Sequence, residues 1–116
     1  MADPVVHLAL CTDNLARACD FYTRLFGWSA EIVHASAGSY LALDLGTALQ
    51  GGVSEHDRAR SHWLPYVEVR DLERAIERAR RPGAAVTLPP REGPAGWRSV
   101  LAPHAGAQIA LWQPKL

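Results

Sequence analysis

The sequence predicts an α+β fold made of two βαβββ modules, and three observations carry that prediction. A strand-like apolar run leads into an amphipathic helical pattern with capping residues, once over residues 5–27 and again over residues 64–83. Each helical pattern is followed by three short strand-like segments bounded by Gly, Ser or Pro. The halves also align with one another: setting Leu15 on Leu72 places Asn14 on Asp71, Ala18 on Ala75 and His7 on Leu64, and Gly46 falls on Gly106.

Taken in order, VVHLAL at 5–10 reads as a strand, and Thr12, Asp13 and Asn14 turn the chain into a helix with Asn14 as its N-cap. Leu15, Ala18, Cys19, Tyr22, Leu25 and Phe26 form one apolar stripe, and Gly27 stands where a left-handed C-cap ends the helix. Strands are expected at 28–34, 40–45 and 47–52. The polar stretch 51–62 lacks periodicity and reads as a connection, which sets module one at about 5–52, a linker at about 53–62 and module two at about 63–113. In the second module, 64–69 is a strand, Asp71 an N-cap, and Leu72, Ala75, Ile76 and Ala79 a helical stripe closed by Pro82-Gly83. Residues 84–88, 97–101 and 108–112 supply its last three strands.

Composition narrows the function classes. The chain has 116 residues, enough for one domain to bury a core without disulfides or a structural metal. Its 12 Lys and Arg balance 12 Asp and Glu, so no net field favours nucleic acid or an acidic membrane face. No apolar run approaches the roughly 18 residues of a membrane span, and the start has no leader pattern, so a cytoplasmic setting is expected. Cys11 and Cys19 do not form a disulfide framework or a CxxC pair. Phosphate loops, nucleophile elbows and HExxH patterns are absent from the sequence.

The segment His7-Leu8-Ala9-Leu10, followed by Asn14-Leu15-Ala16-Arg17-Ala18, Phe21-Tyr22 and Leu25-Phe26-Gly27, resembles the opening of a vicinal oxygen chelate module. This is the superfamily of glyoxalases, bleomycin-resistance proteins and extradiol dioxygenases. Pro65-Tyr66-Val67-Glu68-Val69 with Asp71-Leu72, then Gly83-Ala84, Pro89-Pro90 and Gly106-Ala107, is similar to its second module. The resemblance implies that the two βαβββ modules form an eight-stranded open cup with the helices outside. Alternation along the strands then turns His7, Ala9 and Cys11 inward, with Leu64, Tyr66 and Glu68, with Gln108, Ala110 and Trp112, and with Tyr40, Ala42 and Asp44.

Metal-dependent members take one ligand from each of four strands. Carried over position by position, those places hold His7, Gln50, Leu64 and Ala110. An imidazole and a carboxamide remain as the only donors, too few and too weakly charged for a catalytic divalent ion. The expectation is a metal-free protein, with His7 and Gln50 as residual metal candidates and His62 as a substitute for Leu64 only if the fifth strand slips by two residues.

The leading expectation is a small-molecule-binding protein of the glyoxalase/bleomycin-resistance type, holding an aromatic or apolar ligand against His7, Tyr40, Gln50, Leu64, Tyr66, Glu68, Gln108, Ala110 and Trp112. The alternative is a lyase, isomerase or dioxygenase-like enzyme in which His7 or Glu68 is the general base, with or without a divalent metal. A homodimer is expected from the open sheet edges. Trp28, Trp63 and Trp97 are read as cavity rim; His34, His56 and His104 as solvated; and Arg70, Arg74, Arg78, Arg80 and Arg81 with Glu73 and Glu77 as a mixed charged face.

Overall fold

A computed structural model describes residues 2–35, 38–55, 62–93, 95–104 and 107–115. The elements run β1 (Val5–Thr12), α1 (Leu15–Phe26), β2 (Ser29–Ala35), β3 (Gly38–Asp44), β4 (Gln50–Glu55), β5 (His62–Glu68), α2 (Leu72–Arg80), β6 (Ala85–Glu92), β7 (Gly96–Ala102) and β8 (Ile109–Pro114). The βαβββ pattern thus occurs twice in an α+β chain, as its sequence predicts. Two compact units result, one of His7–Leu64 and one of Met1–Val6 with Pro65–Leu116.

In the His7–Leu64 unit the strand order is β2-β3-β4-β1, antiparallel except for the parallel pair β1–β4. Helix α1 opens as its sequence requires: the Asn14 side chain accepts from the Arg17 backbone N–H at 3.0 Å. It closes on Gly27, whose φ of 69° is left-handed and whose N–H donates to the Thr23 carbonyl. Its inner stripe packs on Leu10, Leu43 and Val53, joined by Leu41, Leu45, Trp28 and Trp63. Trp28 stacks on Tyr22 at 5.6 Å between ring centroids, and Trp63 meets Tyr22 edge-on at 5.2 Å. These two tryptophans therefore fill the space under the helix rather than forming a rim, because aromatic partners on α1 offer them more contact than solvent does.

The other unit has the order β5-β8-β7-β6, with β5–β8 parallel. Asp71 caps α2 by accepting from the Arg74 N–H at 3.1 Å, and the Gln113 side chain of β8 accepts from Leu72 N–H at 2.8 Å. Leu72 and Ile76 of α2 pack on Val69, Leu101 and Leu111, with Trp97 against them and Lys115 above the Trp97 ring. Trp97 is also a core contact and not a rim residue.

Strand bounds differ from the sequence reading by one or two residues in six strands and by more in two. Residues 47–49 form a turn, held by Thr47 Oγ1 accepting from Leu49 N–H, and β4 begins only at Gln50 and continues through Glu55. The glycines that disguise it are there for room: a Cβ on Gly51 would stand 2.8 Å from Leu45 Cγ and 2.9 Å from the Leu43 carbonyl. Strand β6 runs on to Glu92 through Pro89-Pro90 because it is an edge, where missing N–H donors cost least, and its register shifts around Leu88. There the buried Ser99 hydroxyl donates to the Leu88 carbonyl at 2.7 Å and holds the irregular edge.

Candidate functional site

Each sheet carries its helix on one face, and most of the residues singled out by sequence lie on the opposite face of their own unit. In the His7–Leu64 unit, Leu10, Leu43 and Val53 point to α1, so His7, Ala9 and Cys11 of β1 share the other face with Gln50 and Gly52 of β4. His7 is the register partner of Gln50, and Gln50 in turn of Asp44. The half-buried imidazole lies against Gly52, where a Cβ would stand only 3.2 Å from Nε2 and 3.3 Å from Cε1. Burial lowers the His7 pKa below its ordinary value, because the charged imidazolium loses hydration there, so the ring is neutral at pH 7.

Gln50 is exposed, and Leu64 is buried at 5% exposure. The Tyr40 backbone pairs with Val33 in β3, but its side chain falls outside the described residues, as do His56 and the side chain of His34. Glu31, which sequence reasoning did not select, belongs to the same face, since it partners Ala42 and Ala42 partners Gly52. It escaped because one acid in an exposed strand has no local signature.

In the unit of Pro65–Leu116, Val69, Leu101 and Leu111 point to α2, and Tyr66, Glu68, Ala110 and Trp112 occupy the face away from it. Two rows cross this sheet. One runs Glu68, Trp112, Arg98, Arg91 over β5, β8, β7 and β6; the next runs Tyr66, Ala110, Val100, Leu88. Arg98 Nη1 donates to the Tyr66 hydroxyl at 3.0 Å, tying the two rows together. The Trp112 ring lies over Gly96, where a Cβ would stand 2.9 Å from both Cζ2 and Cη2. Ala110 is wholly buried, whereas Gln108 precedes β8 and is exposed. His104 is exposed, as expected. Arg98 and Arg91 were not selected by sequence, because an arginine in an alternating strand ordinarily reads as a solvated face.

A cleft of about 1160 Å³ opens elsewhere in this unit, between Asp3-Pro4, the end of β5 and the arginines Arg70, Arg74, Arg78 and Arg81. Glu68, Asp71 and Glu77 also line it, so its charge is mixed, in keeping with the solvated helix face read from the sequence.

The donor set does not fit a divalent ion. His7 and Gln50 are adjacent in register, but Leu64 and Ala110 are hydrocarbon side chains with nothing to coordinate. Trp63 packs in the α1 core, so alternation puts His62 on the same side of β5 as Leu64, two residues away from the expected ligand position. Among the described residues no group of three or more His, Cys, Asp or Glu side chains is placed to hold a metal.

Comparison with known proteins bears on this geometry. The chain is 27% identical over 122 aligned positions to the anthracycline biosynthesis protein DnrV of Streptomyces peucetius, an alignment covering 90% of this chain and 44% of that protein. It therefore spans less than half the length of the curated relatives it matches. Among solved structures, methylmalonyl-CoA epimerase from Mycobacterium tuberculosis superposes with a TM-score of 0.65 at 19% identity, covering 97% of this chain and 88% of that one. The hypothetical protein BH1468 from Bacillus halodurans C-125 superposes with a TM-score of 0.72 at 12% identity, covering 100% and 97%. At such identities these structures speak to the fold alone. The family model of the Glyoxalase/Bleomycin resistance protein/Dioxygenase superfamily matches residues 5–110, and the chain belongs to that superfamily.

Proposed function

We propose that this protein binds a small, planar, largely apolar molecule on the helix-free faces of its sheets, without a divalent metal. The observation that carries the reading is the position of Tyr66 and Trp112. Both are half-buried, both lie on the face away from α2, and the core beneath that helix is filled by other residues. Two rings on one face, with the small Ala110 beside them, suit a flat ligand that stacks. The likeness to an anthracycline biosynthesis protein supports a polycyclic aromatic ligand. Glu68 and Gln108 are further contacts proposed in the unit of Tyr66 and Trp112, and His7, Tyr40, Gln50 and Leu64 are the contacts proposed in the His7–Leu64 unit taken by itself.

The test is a titration of intrinsic tryptophan emission with anthraquinone-2-carboxamide. Stacking is worth about 0.5–1.5 kcal/mol beyond area burial, so Trp112→Ala, which also removes contact area, should weaken binding about tenfold or more. Loss of the folded state in both Trp112→Ala and Tyr66→Ala, with no quenching of the parent protein, would show that these rings are core.

A second reading has one observation in its favour. A half-buried, neutral His7 is competent to accept a proton from an acidic C–H or O–H of a bound molecule, which would make the protein a metal-free lyase or isomerase. Glu68 is the other candidate base, and Glu68→Gln separates its roles, since a base leaves binding intact and loses turnover by about 100-fold or more.

The working form proposed is a cytoplasmic homodimer. Edge strands β2 and β6 and the exposed Phe21, Leu25 and Phe26 of α1 support association. Light scattering at micromolar concentration should give twice the 12.7 kDa chain mass, and the mass of one chain would refute it.

A further inference from the structure

On the helix-free face of the β5-β8-β7-β6 sheet, charge is distributed unevenly along the row that contains Trp112. Glu68 stands on one side of that ring, and Arg98 then Arg91 stand on the other. Arg91 and Arg98 are direct cross-strand partners, an arrangement of like charges that destabilises a sheet unless something negative answers it. The neighbouring acid on β6, Glu92, does not answer it. Its carboxylate holds Lys115 Nζ at 2.6 Å, and its register partner Trp97 lies on the α2 side.

The arginines therefore face the ring row without a carboxylate partner among the described residues. Arg98 is nevertheless held in place, because Nη1 donates to the Tyr66 hydroxyl at 3.0 Å. That bond uses one of the five N–H donors of a planar fork, leaving a geometry that matches two anionic oxygens. Its cross-strand partner is Trp112, so Arg98 is anchored on the strand next to the one that carries the stacking ring.

We propose that Arg98, positioned by Tyr66 and assisted by Arg91, is an anion subsite that selects planar aromatic molecules bearing an acidic substituent, such as a ring carboxylate or an ionised phenol. This rests on the aromatic-ligand reading and adds the charge of the ligand to it. Tyr66 then has two duties, offering its ring as a wall and its hydroxyl as the acceptor that orients Arg98.

The experiment compares anthraquinone-2-carboxylate with anthraquinone-2-carboxamide, two probes of one shape and different charge, by tryptophan quenching at pH 7.5. The parent protein should bind the carboxylate at least about tenfold more tightly, the scale of a charge-assisted hydrogen-bonded pair. Arg98→Gln should remove that preference by weakening the carboxylate alone, with carboxamide affinity held within about twofold, as expected for an uncharged probe that makes no ion pair. Tyr66→Phe, which keeps the ring, should reduce the preference part of the way, and added salt should reduce it in the parent but not in Arg98→Gln. Thermal melts of both variants check the fold.

Equal affinity of the parent for the two probes would overturn the anion subsite while leaving aromatic binding standing. A preference that survives Arg98→Gln would overturn the assignment to Arg98. Failure of the parent to bind either probe would overturn the aromatic reading and this inference with it.

Discussion

Replacing Gly96 with alanine probes the support of the Trp112 ring directly. A Cβ at this position would lie 2.9 Å from Cζ2 and Cη2 of Trp112, and it would also strike the carbonyl oxygen of Gln113. The ring is able to swing away, but the carbonyl belongs to the β7–β8 ladder, where Gly96 opposes Pro114 and Trp97 opposes Gln113, so backbone must shift as well. Overpacking of this kind costs about 1–3 kcal/mol. Alanine recovers about 0.4–1 kcal/mol of that through the unfolded state. A net loss of about 1–2 kcal/mol corresponds, at about 4 °C per kcal/mol for a chain of this size, to a melting temperature lower by about 4–8 °C. Circular dichroism melts measure the drop, and the tryptophan emission maximum reports whether the ring has moved. Adding Trp112→Ala should remove the ring contact but not the carbonyl contact, so the double variant should lose less than the two single changes together. A Gly96→Ala protein that melts within about 1 °C of the parent, a shift below about 0.3 kcal/mol, with unchanged emission, would refute the packing described here.

His7 gives a pH prediction. Its folded pKa is lowered, so the unfolded chain takes up the proton first as pH falls; stability present above about 6.5 declines as the pH drops through the folded pKa, and His7→Gln should flatten that decline. An NMR titration placing His7 at or above its ordinary value would contradict this. Removing either helix cap, by Asn14→Ala or Asp71→Ala, should cost about 0.5–2 kcal/mol in urea unfolding. The exposed Arg74–Asp71 pair at 3.7 Å should add little to the second of these. Excess EDTA should leave the melting temperature unchanged, and a drop reversed by added zinc or manganese would show a metal site that the donor set does not suggest.

What the sequence made legible was local or periodic. Asn14, Asp71 and Gly27 announce helix ends through interactions within four residues, and the alternation of His7, Leu8, Ala9 and Leu10 sorts β1 into two faces without any knowledge of neighbours. Strand β4 was expected three residues early, at 47–52, because its glycines answer to Leu45 and His7, side chains brought to it from outside the strand. The tryptophans misled for a similar reason. Trp28 and Trp63 flank elements in sequence, yet their partner Tyr22 lies on α1, and only the fold brings the three rings within 6.1 Å of one another. Arg98 stayed invisible because its meaning depends on Tyr66 and Arg91, each on a different strand.

The two parallel pairs also dictate when each unit is able to close. His7 must find Gln50, and Tyr66 must find Ala110, across sequence separations of about 43 residues. The β2–β3 and β6–β7 hairpins, in contrast, need only short loops and form on a scale of about 1–10 μs. Each set of three antiparallel strands therefore waits for its parallel partner, and the loop-closure entropy of that late pairing falls on the step that buries Leu10 against Val53 in one unit and Val67 against Leu111 in the other. Folding of this chain is accordingly expected to run on the millisecond-to-second scale typical of domains dominated by long-range pairing. Substitutions that weaken the late β1–β4 and β5–β8 pairings without touching the hairpins should speed unfolding more than they slow folding.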